Sequence, residues 1–146
     1  MPLIRHTAGR QFYRWYFYDP AQPLDSQTKG IPVTLMRDSW FGGELGFAVV
    51  KDMSMGGCGI LVSSSDQIPQ RCWVQYDKDV KVRALVRYRK KVNDKLEFLG
   101  LEWMGRDQAT RLNLLRKLRR RAFILKQNHF RLGSVNQRRK RPFQAE

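Results

Sequence analysis

The stretch VVKDMSMGGCGILV, Val49 to Val62, sets two apolar runs on either side of a short polar interruption. Apolar runs bounded by turn residues read as strands, and a connection as short as SMGG makes the pair a β-hairpin. A hairpin turn calls for glycine. It does not call for an acid and a serine on alternate positions, yet Asp52, Ser54, Gly56 and Gly57 stand here in the order D-x-S-x-G-G. Successive residues of a strand point to opposite faces, so Asp52 and Ser54 are expected to share one.

Outward from this hairpin the same pattern repeats. LGFAVVKDM leads into it and CGILVS leaves it, followed by the loop SSDQIPQR. CWVQYD and KVRALVRYRKK read as two more strands; in the second, Val82, Ala84, Val86 and Tyr88 alternate with Arg83, Leu85, Arg87 and Arg89, the period of a half-buried strand. VNDK carries turn residues, and LEFLGLEWM is a strand with Phe98, Gly100 and Glu102 in phase. On the amino-terminal side, IPVTLM is a strand that RDSWFGG ends at a glycine pair. AQPLDSQTKG has loop chemistry, and WYFYDP is an aromatic strand stopped by Asp19-Pro20. Many short strands separated by turns give a mainly β fold, a small antiparallel β-barrel or sandwich.

The last regular segment differs. Asp107 is placed to cap a helix through QATRLNLLRKLRRRAFILKQ, with Leu112, Leu115, Leu118, Ala122 and Leu125 as its apolar stripe. Arg111, Lys117, Arg120 and Arg121 lie on the opposite face. The stripe is short for a coiled coil and is expected to cover the open end of the barrel. The chain then divides into a flexible basic arm (1–14), a barrel with a carboxy-terminal α-helix (15–127) and a basic, mobile tail (128–146).

The 146 residues hold 28 Lys plus Arg against 13 Asp plus Glu, a net charge of +15 that calls for an anionic partner: nucleic acid, phospholipid or a phosphorylated small molecule. An apolar content of 42% argues against wholesale disorder. Cys58 and Cys72 form no metal-ligand spacing and read as reduced, buried thiols. There is no apolar leader and no run long enough to be a transmembrane segment, so the expected location is cytoplasmic. No catalytic triad, P-loop or metal cluster is visible, so neither enzymatic activity nor a cofactor or metal is expected.

A second motif decides among the anions. RQFYR places Arg10 and Arg14 in an R-x-x-x-R arrangement upstream of the D-x-S-x-G-G turn. With the strand VRALVRYRKK and the glycine-bearing EFLGLEWM, this resembles the PilZ family over roughly residues 10–120. The resemblance implies a small β-barrel with a carboxy-terminal helix and binding of cyclic di-GMP at Arg10, Arg14, Asp52, Ser54, Gly56 and Gly57. The chemistry of those residues agrees: a guanidinium fork can donate to guanine O6 and N7 or clamp a phosphate. A carboxylate accepts from guanine N–H groups, a serine adds a further hydrogen bond, and glycines let a ligand approach the backbone. Against this, Asp52 and Ser54 can equally close a turn by themselves, and arginines in so basic a chain can be solvated charges.

The spacing departs from the family's habit. Arg14 precedes Asp52 by 38 residues, longer than usual. Either WYFYDP is the first barrel strand and an insertion follows it, or IPVTLM is the first strand and the arm must fold back. Arg5 and His6 extend the basic arm, His129 has no visible partner, and Trp15, Trp40, Trp73 and Trp103 read as core residues, with Trp15 also able to stack on a guanine.

Three functions compete. The first is a receptor in which the dinucleotide orders the arm against the hairpin and the new surface engages a protein partner of flagellar, exopolysaccharide or transcriptional machinery. The second is a degenerate member that binds protein and no nucleotide. The third is a basic nucleic-acid-binding barrel using RKLRRR and the tail RRKR.

Overall fold

The computed structural model describes residues 3–5, 14–17, 21, 23 and 29–124. The hairpin of the opening stretch is present as β4 (Glu44–Met53) and β5 (Gly57–Ser63). Its cross-strand partners run from Ala48 opposite Val62 to Met53 opposite Cys58. Ala48, Val50, Met53, Cys58, Ile60 and Val62 all point into the core. One extra residue, Lys51, sits in β4 where the register shifts between Val50 and Asp52. Such a bulge lets two inward residues flank an outward one out of simple alternation. Asp52 therefore lies opposite Gly59 on the outer face.

The other strands are β1 (Leu3–Arg5), β2 (Arg14–Tyr16), β3 (Ile31–Arg37), β6 (Arg71–Asp77), β7 (Val80–Lys91) and β8 (Leu96–Trp103). Neighbours run β4-β3-β6-β7-β8-β5, and β5 returns to β4, so six antiparallel strands close into a barrel. Closure leaves no unpaired edge among those six, which is how a short-stranded sheet satisfies its backbone groups. The β1–β2 ribbon joins the outside of this barrel through β4.

Inside, Leu35, Val50, Cys58, Ile60, Cys72, Val74, Ala84 and Leu99 are fully buried. Each large aliphatic side chain removed from water contributes about 1.5–3 kcal/mol. Both cysteines are free and buried, as the composition suggested. Helix α1 occupies residues 108–124 and is capped by Asp107, whose Oδ1 accepts the Thr110 N–H at 3.1 Å. It seals the barrel with Leu114 and Leu118, both fully buried, and packs Leu115 and Ala122 beside them. No helix among the described residues is long and apolar enough to cross a membrane.

Three sequence expectations change. The helix stripe runs through Leu114 rather than Leu112, which is 38% exposed; Leu125 lies outside the described residues. Tyr88 does not follow Val86 into the core, because the register of β7 shifts between them and turns Tyr88 outward opposite Gly100. Of the four tryptophans, Trp103 is a core residue and Trp15 packs against the core, Trp73 is half-buried on the outer face, and Trp40 is 94% exposed. The tertiary contacts around a bulge or a protruding turn override a strict two-residue period.

Candidate functional site

The two sequence motifs meet where β2 lies on β4. β3 leaves the edge of β4 at Val50, opposite Ile31, and β2 takes that edge over with Trp15 opposite Met53 and Tyr16 opposite Asp52. The Phe17 N–H donates to the Lys51 carbonyl at 2.7 Å and continues the pairing. The aromatic run thus supplies a strand beside the hairpin, and the long gap is spanned by the segment between β2 and β3. Arg14 Nη1 donates to Asp52 Oδ1 in an ion pair that joins positions 38 residues apart. The Asp52 side chain is 5% exposed and that of Arg14 19%, so the pair is largely out of water. Breaking such a pair from one side strands a buried charge, which is what makes it hold its geometry.

The remaining motif residues divide. Ser54 is buried, and its hydroxyl oxygen accepts the N–H groups of Gly56 at 3.1 Å and Gly57 at 3.3 Å. Its backbone N–H donates to the Gly57 carbonyl at 2.8 Å, and its carbonyl accepts the Trp103 indole N–H at 3.0 Å. Ser54 therefore knots the turn, and its own hydroxyl proton is what it has left to offer a ligand. Gly56 and Gly57 are not needed for a left-handed backbone; positive φ occurs instead at Gly42, Gly43, Gly46 and Gly105. Gly57 is needed because a Cβ there would run into the Leu101 carbonyl of β8. Arg10 lies outside the described residues.

A row of the sheet that the sequence did not single out completes the site. Tyr16, Asp52, Gly59, Gly100 and Tyr88 are successive cross-strand partners on β2, β4, β5, β8 and β7. Side chains fold down over the two glycines: the Asp52 carboxylate and the Phe98 ring across Gly59, the Tyr88 ring across Gly100. Tyr88 and Phe98 stand 6.1 Å apart, ring to ring, and Tyr88 is half exposed. The outer wall of the barrel thus carries an ion pair at one end of a glycine row whose far part is covered by the buried Phe98 ring and the half-exposed Tyr88 ring. Glycines inside strands mark close approach of another group, the signal in CGILV and FLGLEW that could have located this row.

Two further side chains tie α1 to the same end of the molecule. Arg111 donates from Nη1 to the Met55 carbonyl at 3.5 Å and from Nη2 to the Gly105 carbonyl, holding the helix to the hairpin. It is not the solvated charge that its place on the helix wheel suggested. The Arg119 guanidinium lies 4.5 Å over the Trp15 ring, so that face of Trp15 is taken by protein. Among the described residues, Arg14 Nε and Arg111 Nε are buried nitrogens without an acceptor. An unmet donor of this kind costs roughly 1–3 kcal/mol.

Beside the ion pair, Lys51 is fully buried in the bulge, its Nζ donating to the Lys29 carbonyl. Burial lowers its ammonium to about 8 from 10.5. Burial also pushes the Cys58 thiol well up, with the Asp52 charge adding to it, and takes Cys72 to about 11. Neither thiol is poised as a nucleophile. No group of three His, Cys, Asp or Glu residues among those described can hold a metal ion.

The chain is similar to several solved structures. The Bacillus subtilis inhibitor of motility MotI/DgrA is 13% identical, with a TM-score of 0.48 over 82% of this chain and 53% of that one. MrkH of K. pneumonia, solved with c-di-GMP, is 12% identical, with a TM-score of 0.49 over 84% and 56%. The chain therefore spans about half the length of either. The PilZ domain of YcgR from Escherichia coli, with c-di-GMP, is 14% identical, with a TM-score of 0.46 over 86% of this chain and 98% of that domain. A search of the curated proteins gives no match. The PilZ domain family matches residues 10–120, from the R-x-x-x-R motif through the barrel into α1. The chain belongs to the PilZ domain family.

Proposed function

We propose that this chain is a cyclic di-GMP receptor that takes the dinucleotide on the outer wall of its barrel, between the Arg14–Asp52 pair and the Tyr88–Phe98 rings. The observation that carries this reading is the pair itself: residues of both family motifs, far apart in sequence, are in contact. The Asp52 carboxylate has the acceptors for the N1–H and N2–H groups of a guanine, and the Arg14 guanidinium has donors for a phosphate or for O6 and N7. Gly59 and Gly100 let the Phe98 and Tyr88 rings lie flat on the wall, and the half-exposed Tyr88 ring offers a base a stacking face. Binding exchanges the internal ion pair for ligand contacts, with Arg10 joining from the arm and Ser54, Gly56 and Gly57 lining the hairpin side. PilZ domains are receptor and adaptor modules without catalysis, and this chain is no enzyme. The surface so formed is what a protein partner reads.

A second reading has a specific observation behind it. Asp52 and Ser54 are each 4% exposed and already hydrogen-bonded within the protein, which suits a hairpin kept for its structure in a module that binds protein alone. Calorimetric titration separates the two. On the first reading cyclic di-GMP binds, GMP binds far more weakly, and Asp52→Asn or Arg14→Ala loses affinity by about tenfold or more, the value of one bidentate contact. No heat with the wild-type chain, or equal affinity in both variants, sinks that reading and leaves the second.

A further inference from the structure

The turn at the other end of β4 presents a different surface. β3 and β4 are joined by Asp38-Ser-Trp-Phe-Gly-Gly43, where Gly42 and Gly43 take φ values of 60° and 106°. The Arg37 N–H donates to the Gly43 carbonyl at 2.7 Å and the Gly42 N–H to the Ser39 carbonyl at 3.0 Å, so the tip is a closed, hydrogen-bonded turn. On it, Trp40 and Phe41 are 94% and 93% exposed: two adjacent large rings that rest on nothing. Phe47, 72% exposed, follows on β4. Contiguous exposed apolar surface of this kind on an ordered element marks a contact site rather than a packing accident.

Cations lie on the strands beside this turn. Arg37 closes the turn, Arg71 adjoins the Cys72 that pairs with it, and Lys81 stands 4.8 Å over the Trp73 ring in the neighbouring row; all three are exposed. Arg83 is offset by Asp38, bound at 2.7 Å and 2.9 Å; Glu44 is exposed at the base, and the Asp66 carboxylate lies over Gly46 next to Phe47. We propose that this tip docks the protein on a bilayer carrying anionic headgroups, with Trp40 and Phe41 in the interface and Arg37, Arg71 and Lys81 against the phosphates.

The shape and the charge favour a bilayer over a protein. The apolar surface is convex and two side chains wide, whereas a stable protein interface buries on the order of 1,000 Å² with matched relief. A bilayer interface accepts indole and phenyl rings without shape matching, and tryptophan concentrates there. The excess charge of +15 belongs to the chain as a whole, which complements an extended negative surface better than a single acidic pocket. Asp52 lies at the far end of β4 from Glu44, about 26 Å away at 3.3 Å per residue, so docking leaves the other hairpin open to solvent. The inference does not depend on the nucleotide reading.

Flotation of the full chain with vesicles tests it. Binding is expected to vesicles of phosphatidylcholine mixed with phosphatidylglycerol, and much less to phosphatidylcholine alone. The double substitution Trp40→Ser, Phe41→Ser lowers partitioning to the mixed vesicles by about tenfold or more. Brominated lipid quenches tryptophan fluorescence in the parent and less in Trp40→Ser. Unchanged circular dichroism confirms that the variants fold. Equal binding by parent and double variant overturns the proposal, since attraction then belongs to diffuse charge. Failure of the parent to bind either vesicle overturns it too, and leaves the tip to a protein partner.

Discussion

β4 has a hairpin of nearly the same composition at each end, D-S-W-F-G-G before it and D-M-S-M-G-G after it. In the first, the glycines supply positive φ and the rings stand in water. In the second, the glycines are extended or turn residues at ordinary φ, and the acid and serine are buried. The difference comes from neighbours. β2, β5 and β8 crowd the second hairpin, whereas the first projects past its own two strands. The same residue types therefore serve backbone freedom at one end and close approach at the other.

The largest expected effect tests that division of labour. Gly57→Ala drives a methyl group into the Leu101 carbonyl, backbone that cannot move without opening the β5–β8 ladder. A loss of about 3 kcal/mol or more is expected, as for overpacked core sites. Gly42→Ala meets open space and bears only the cost of φ near 60°, about 1 kcal/mol. Urea unfolding of both variants measures the contrast; comparable losses would mean that the two glycine pairs do the same job.

A smaller contrast separates the two acids. Asp52→Ala leaves the Arg14 guanidinium poorly solvated and unpaired, at an expected cost of about 2–4 kcal/mol. Asp38→Ala removes the partner of Arg83, whose side chain is 42% exposed, and water takes its place at a cost of about 0–1 kcal/mol. Thermal and urea unfolding give both values. Equal costs would show that burial of the Arg14–Asp52 pair contributes nothing special.

The same contrast explains what could be read in advance. The six barrel strands, the opening hairpin and the helix with its Asp107 cap were legible because hydrophobic period and turn residues are local, whereas strand β1, Leu3–Arg5, reads as part of the arm. The pairing of Arg14 with Asp52 was legible only as two motifs in the right order, since nothing local says that β2 takes the edge β3 leaves at Val50. Bulges defeated the rest. One extra residue at Lys51 and a shift before Tyr88 rotate the strands that follow, so Tyr88 emerges on the outer wall opposite Gly100. The exposure of Trp40 was equally hidden, because an aromatic residue beside a glycine pair looks like the end of a core strand until its neighbours are known.

The smallest of these contrasts also belongs to the crowded end of β4. Lys51 is buried in the bulge with its ammonium lowered from 10.5 to about 8. Below about pH 8 both folded and unfolded chains hold the proton, and the folded state carries the full cost of the buried charge. Between about 8 and 10.5 the folded chain has released the proton while the unfolded chain retains it, so the unfolded state binds more protons and stability rises with pH. Above 10.5 the difference is gone and the curve is flat again. Lys51→Met removes this titration and no other, so the comparison of the two proteins isolates it from the tyrosines. From neutral pH to about pH 9.5, wild-type stability is expected to gain about 1–2 kcal/mol on the variant in urea unfolding. Parallel pH profiles would show that water reaches the Lys51 amine, and that this end of the strand is less tightly enclosed than the tip at the other end is exposed.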